Sequence, residues 1–122
     1  MRYGFKDIPL ELELGEIETR GVESGDLYAR YINLPAGTDF RPLLAGLPED
    51  RCHCPHWGYV VAGAITIEYA DGTRETSQAG DVFYWPGGHV GWTDEGVTFL
   101  EWSPTAEILP VLDHLSRRLA TA

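Results

Sequence analysis

The chain has 122 residues, 43% of them hydrophobic, which suits one domain built around one core. Nineteen acidic residues against nine basic ones leave a net charge of −10, which repels phosphate backbones and anionic lipid headgroups and argues against nucleic-acid or membrane partners. No apolar run approaches the ~20 residues of a membrane span, and Met1 to Glu18 lacks the apolar stretch of a signal peptide, so the expected location is cytoplasmic.

Met1 to Pro9 shows no period and reads as an arm. Leu10, Leu12 and Leu14 alternate with Glu11 and Glu13, and Ile17 sits between Glu16 and Glu18, so strands are expected on either side of Gly15. Gly21 to Asp26 is rich in turn residues, and Leu27 to Leu34 reads as a strand of aromatic and branched residues ended by Pro35-Ala36-Gly37-Thr38. Residues 39–51 carry Pro42, Gly46 and Pro48 and read as a loop, with Leu43, Leu44 and Leu47 tucked against the core or a partner subunit.

From Trp57 the punctuation becomes regular. Trp57 to Ala62 reads as a strand, Gly63 as a turn, and Ala64 to Ala70 as a second strand. Asp71-Gly72 is a strong hairpin signal because both residues tolerate positive φ. Thr73 to Gln78 returns, Ala79-Gly80-Asp81 turns again, Val82 to Trp85 is a short buried strand, and Val97 to Trp102 is another. Many short strands separated by Gly and Pro favour an antiparallel sandwich or barrel. Ser103-Pro104 reads as a helix cap with proline at the first helical position, and Ile108, Leu112, Leu115 and Leu119 follow helical spacing. Pro110 is expected to delay or kink that helix, and Arg117 and Arg118 suit its C-terminal dipole. His114, beside the apolar stripe, reads as an ordinary packing or surface histidine.

The densest chemistry lies in Cys52-His53-Cys54-Pro55-His56. In an extended chain Cys52, Cys54 and His56 project from one face, while His53 faces the other side. Two cysteines one residue apart are a poor disulfide pair in such a strand, and in a reducing compartment they are expected as free thiols or metal thiolates. Gly87 and Gly88 read as turn formers, with a second possible use in letting backbone pass close to a ligand. Glu101 is expected to be exposed; buried, it becomes a candidate general base.

These stretches resemble the motifs of the cupin superfamily. Gly80, five residues, Pro86, one residue, Gly88 and then His89 looks like the second cupin motif, whose histidine is a metal ligand. It departs from that motif in having no residues between Gly88 and His89, where two are usual, and in lacking the closing asparagine. The first motif has two histidines one residue apart, then a glutamate, then a glycine after six more residues. Six residues separate His56 from Gly63, so His56 resembles the occupant of the glutamate place, with Cys52 near the second histidine place. In the alternative alignment Cys54 and His56 stand in for the paired histidines and the glutamate is lost. Glu101-Trp102-Ser103-Pro104 also looks like the tail of small bacterial single-domain cupins.

The resemblance covers roughly residues 27–103 and implies an all-β fold, an antiparallel jelly-roll barrel with a C-terminal helix. The expected organisation is a single cupin-like unit over 1–122, with an arm and strands in 1–26, the barrel core in 27–103 and the helix in 104–122. It leaves activity open, because cupins include dioxygenases, isomerases, decarboxylases and non-enzymatic binding proteins. Cys54, His56 and His89, with Cys52 next, are the expected metal ligands. Thiolates with imidazoles favour zinc, with iron, copper or nickel as other divalent transition metals, and disfavour magnesium and calcium. Two thiolate ligands close the site structurally, whereas one leaves an open position for water or substrate. Tyr59, Tyr84 and Trp102 are candidate contacts for a small, partly apolar substrate. Three readings follow: a metal-dependent enzyme acting on a small organic molecule, a non-enzymatic binding or sensing module, and a metal-free isomerase or lyase pairing His56 with Tyr59 or Tyr84. A homodimer is expected, since cupin-like barrels often associate through their sheets.

Overall fold

A computed structural model of the chain describes residues 1–120, which form eight strands and a C-terminal helix. The strands are β1 (Leu10–Leu14), β2 (Ile17–Ser24), β3 (Leu27–Leu34), β4 (His56–Tyr69), β5 (Arg74–Gln78), β6 (Val82–Trp85), β7 (His89–Trp92) and β8 (Val97–Pro104). Every pairing is antiparallel, in the order β1-β2-β3-β8-β4-β5, with β6 and β7 also bonded to β4. The path is consistent with a jelly roll.

β4 organises the fold, because it serves two sheets. Its first half pairs with β6 and β8, and its second half with β5 and β7. The sequence pattern divides this stretch into two strands at Gly63, but Gly63 bends a single long strand instead of ending it. At φ 75° it adopts a conformation open to glycine, and a Cβ there would run into the Gly96 carbonyl oxygen. The backbone turns from one sheet into the other while keeping its ladder.

Alternation then sorts the side chains. His56 and Val60 on β4, Phe83 and Trp85 on β6, Arg30, Ile32 and Leu34 on β3, and Val97, Phe99, Glu101 and Ser103 on β8 face inward and are buried. Glu101 is therefore buried and not exposed: it lies two residues from Phe99 on a regular strand, so the two share a face. Strand β8 also runs through Ser103 and Pro104, and the helix, α2 (Thr105–Ala120), begins one residue later than its expected proline start. Ser103 is thus a sheet residue rather than a cap. Helix α2 continues through Pro110 and buries Ile108, Val111 and Leu115.

The expected loop at 39–51 contains one helical turn, α1 (Arg41–Leu44), and a 3-10 turn (Pro48–Asp50). Leu44 is buried, and Leu43 and Leu47 pack with Val90, Ile108, Val111 and Leu115, which attaches this connection to α2. His114 completes the attachment, with Nε2 2.9 Å from the Ala45 carbonyl.

Candidate metal site

Three elements deliver the site. His56 opens β4, His89 opens β7, and Cys52 sits on the connection before β4, tied to His89 by an isolated bridge. In that bridge the Cys52 N–H donates to the His89 carbonyl at 2.9 Å, and the N–H groups of Gly88 and His89 converge on the Cys52 carbonyl at 2.8 and 3.1 Å. One donor atom each from Cys52, His56 and His89 lie within 4.8 Å of one another, and all three residues are buried.

The tautomers follow from fixed partners. His89 Nδ1 is 2.8 Å from the Pro86 carbonyl, which only accepts, so Nδ1 carries the proton and Nε2 keeps its lone pair. His56 Nδ1 lies 2.7 Å from Ser103 Oγ, and that hydroxyl is 3.3 Å from Glu101 Oε2. With the hydroxyl donating to the carboxylate, His56 donates from Nδ1 and presents Nε2 to Cys52 Sγ at 3.5 Å. A tetrahedral ion with bonds of about 2.0 Å to nitrogen and 2.3 Å to sulfur would hold these two donors about 3.5 Å apart.

Behind His56 lies a buried charge network. Glu101 Oε2 is 3.3 Å from His56 Nδ1 and 3.2 Å from Arg30 Nη1, while Arg30 Nε bonds Glu11 at 2.9 Å. Burial opposes the Glu101 charge, but His56 and Arg30 outweigh it and hold the carboxyl below its ordinary range. Burial keeps both histidines neutral, lowering His56 and bringing His89 down to about 4. It also pushes the Cys52 thiol up to about 12. Two carboxylates and one guanidinium leave this buried set one negative charge in excess, and an incoming cation would offset it. Donor chemistry, spacing and charge all fit a divalent transition metal.

The expected row of Cys52, Cys54 and His56 does not form, because residues 52–55 are not part of a strand and β4 begins at His56. Cys54 packs with Leu44, Val90 and Ile108, its Sγ 3.4 Å from the Pro55 carbonyl, outside the cluster of three. His53 points to the surface, with Nε2 2.8 Å from the Pro48 carbonyl. Tyr59, Tyr84 and Trp102 lie on the outer face of the sheet, 43%, 52% and 39% exposed, away from the donor cluster. Sequence reasoning did not single out Arg30, Glu11 and Ser103. They belong to strands distant from His56 in the chain, where Ser103 reads as a helix cap and the neighbouring Glu101 as an exposed residue.

The three donors open on a partly open cavity of about 80 Å³ whose other walls include Thr19, Ile32, Phe40, Ile65 and Phe99. Thr19 is 1% exposed and its hydroxyl has no hydrogen-bond partner.

No family model matches the chain, and neither does any curated protein. Solved structures do match. An RmlC-like cupin from Shewanella frigidimarina superposes with a TM-score of 0.61 at 19% identity, covering 88% of this chain and 93% of that one. An oxalate decarboxylase from Lactobacillus farciminis, solved as a formate complex, gives 0.58 at 22% identity; the match covers 84% of this chain but only 32% of that longer protein. A putative ethanolamine utilization protein from Salmonella typhimurium gives 0.54 at 17% identity, over 72% and 69% of the two chains.

Proposed function

With the fold that of the cupins, we propose that this chain is a metal-binding cupin protein in which Cys52, His56 and His89 hold one divalent transition metal, zinc favoured. The observation that carries this reading is the convergence of three buried donors whose free lone pairs are set by other bonds. Cys52 would hold such a metal as the thiolate, its thiol proton released to solvent. Ser103 and Glu101 hold the His56 ring in the donating orientation, and Arg30 keeps Glu101 charged and in place. A bound metal would supply Lewis acidity to a small organic molecule in the adjoining cavity. With Cys54 outside the cluster, only three residues would hold the metal, which would let that molecule reach it.

On this basis the chain is a candidate metal-dependent enzyme. A non-enzymatic binding or sensing module is the alternative, and one feature favours it. The ionisable groups nearest the donors are already engaged, Glu101 by Arg30 and both histidines at Nδ1, so none of these three is free to act as a general base. Among the described residues no helix is long and apolar enough to cross a membrane, and two unpaired thiols suit a reducing compartment such as the cytoplasm. The uncharged outer face of the sheet supports assembly as a homodimer.

The test is elemental analysis of protein purified without chelators, wild type beside His89→Ala. Near-stoichiometric metal in the wild type and a loss of most of it in the variant is expected. A wild type that stays metal-free after reloading with zinc overturns the reading.

A further inference from the structure

The buried charges around the cavity limit what it accepts. Glu11 and Glu101 contribute two negative charges and Arg30 one positive charge, and Arg30 is committed to both carboxylates. A divalent ion with Cys52 as thiolate brings this set to zero. Among the described residues no cationic side chain beyond Arg30 lines the cavity, so an anionic ligand would leave one negative charge unpaired beside largely apolar walls, a costly condition. A neutral ligand carries no such cost.

Size and polarity narrow the class further. A dry cavity of about 150 Å³ accepts benzene, so about 80 Å³ corresponds to a molecule of roughly three to four heavy atoms. Its walls are largely aliphatic and aromatic. The exception opposite the inward row of β3 is Thr19, paired in register with Ile32, whose fully buried hydroxyl lacks any partner. An orphaned hydroxyl in a cavity wall is an uncompensated polar group that a ligand can satisfy.

Resting on the metal reading above, we infer that the site takes a small neutral molecule with one lone-pair donor for the metal and a second polar group hydrogen-bonded to Thr19 Oγ1, and that it discriminates against carboxylate anions of the same size. Thr19 is then a specificity-determining residue and the Glu11–Arg30–Glu101 set a charge filter.

Acetamide and acetate differ in charge but hardly in shape, which makes them suitable probes. Cobalt(II)-loaded protein is titrated with each, and binding is followed by perturbation of the cobalt d–d bands. Acetamide is expected to half-saturate at a concentration roughly ten-fold or more below acetate, the direction set by the unpaired charge. Thr19→Val should weaken acetamide about five-fold, the worth of one neutral hydrogen bond, with cobalt content unchanged, and Thr19→Ser should restore it. Glu11→Gln, which adds one positive charge to the set without touching the cavity wall, should reverse the preference toward acetate. Equal or tighter binding of acetate by cobalt-loaded wild type overturns the inference and leaves the metal site standing. Unchanged acetamide affinity in Thr19→Val removes the role of Thr19. A chain that takes up no cobalt removes both readings before either probe is added.

Discussion

At the scale of single residues, the two histidines tie stability to pH. His89 is held down to about 4, by burial first and by neighbouring His56 second, against an ordinary value of 6.5. Its folded-state value is depressed, so the unfolded chain binds the proton more readily, and the stability gained by keeping the ring neutral is complete above 6.5 and lost as pH falls toward 4. Between pH 7.5 and 5 this amounts to about 2 kcal/mol for His89, and His56, also lowered by burial, acts in the same direction. Glu101 adds a further loss below its unfolded range near 4.5. Urea denaturation of metal-free protein at the two pH values checks this, and stability that is flat or higher at pH 5 would contradict it. Cys52, His56 and His89 were legible in the sequence because cysteine and histidine are scarce and fall in short, patterned runs. That Cys52 and not Cys54 joins the cluster was not legible, because residues 52–55 precede β4 and a two-residue period presupposes a continuous strand. The partners that orient His56 come from β1, β3 and β8 and meet it only through tertiary pairing.

At the scale of elements, the site depends on two backbone segments passing close together. Gly87 lies against the His53 carbonyl, and a Cβ at Gly87 would collide with that oxygen. Sequence reasoning considered a close approach to a ligand for Gly87 and Gly88. The structure instead brings Gly87 against the chain itself, where it allows the Cys52–His89 bridge to close. Gly87→Ala is expected to push the 52–55 connection away from β7 and destabilise the fold by about 1–3 kcal/mol, the range for overpacking. Metal affinity should fall by more than ten-fold, since two of the three donors lose their mutual register. Competition with a chromophoric chelator measures the affinity, and a variant that binds zinc as tightly as wild type would show that the bridge does not set the site. The same scale separates what patterning reveals from what it hides. Strands β1, β3, β5, β6 and β8 are marked by alternation or by turn residues on both sides. The joining of both halves of β4 and the existence of β7 are not so marked, because glycine signals a bend and an end alike and His89–Trp92 has only four residues, one of them Gly91.

At the scale of the whole molecule, a net charge of −10 is distributed so as to leave one face bare. Tyr84, Trp57 and Trp102 form one cross-strand row on the outside of β6, β4 and β8, and Val82, Tyr59 and Leu100 form the next. Trp57 and Tyr84 stack at 5.1 Å. No outward residue of these rows is charged; charges begin beyond β3, at Glu18 and Arg20 opposite Asn33 and Tyr31. The exposed aromatic and aliphatic side chains present on the order of 600 Å², the upper limit for a typical monomer and close to the ~800 Å² per partner of a standard interface. Two copies carrying the same large negative charge approach best where neither brings carboxylates into contact, and an isologous two-fold contact through this face satisfies that condition. The expected dimer sediments at twice the 13.6 kDa chain mass at tens of micromolar. It should tighten with added salt, because screening weakens the long-range repulsion while leaving the apolar contact intact. Trp57→Glu places two carboxylates against each other at the centre of the contact and should give a folded monomer with unchanged metal content and a thermal transition lowered by the lost association, since Trp57 points away from both core and site. A wild-type chain that remains monomeric at high salt would remove the dimer and leave this face for an apolar partner of another kind.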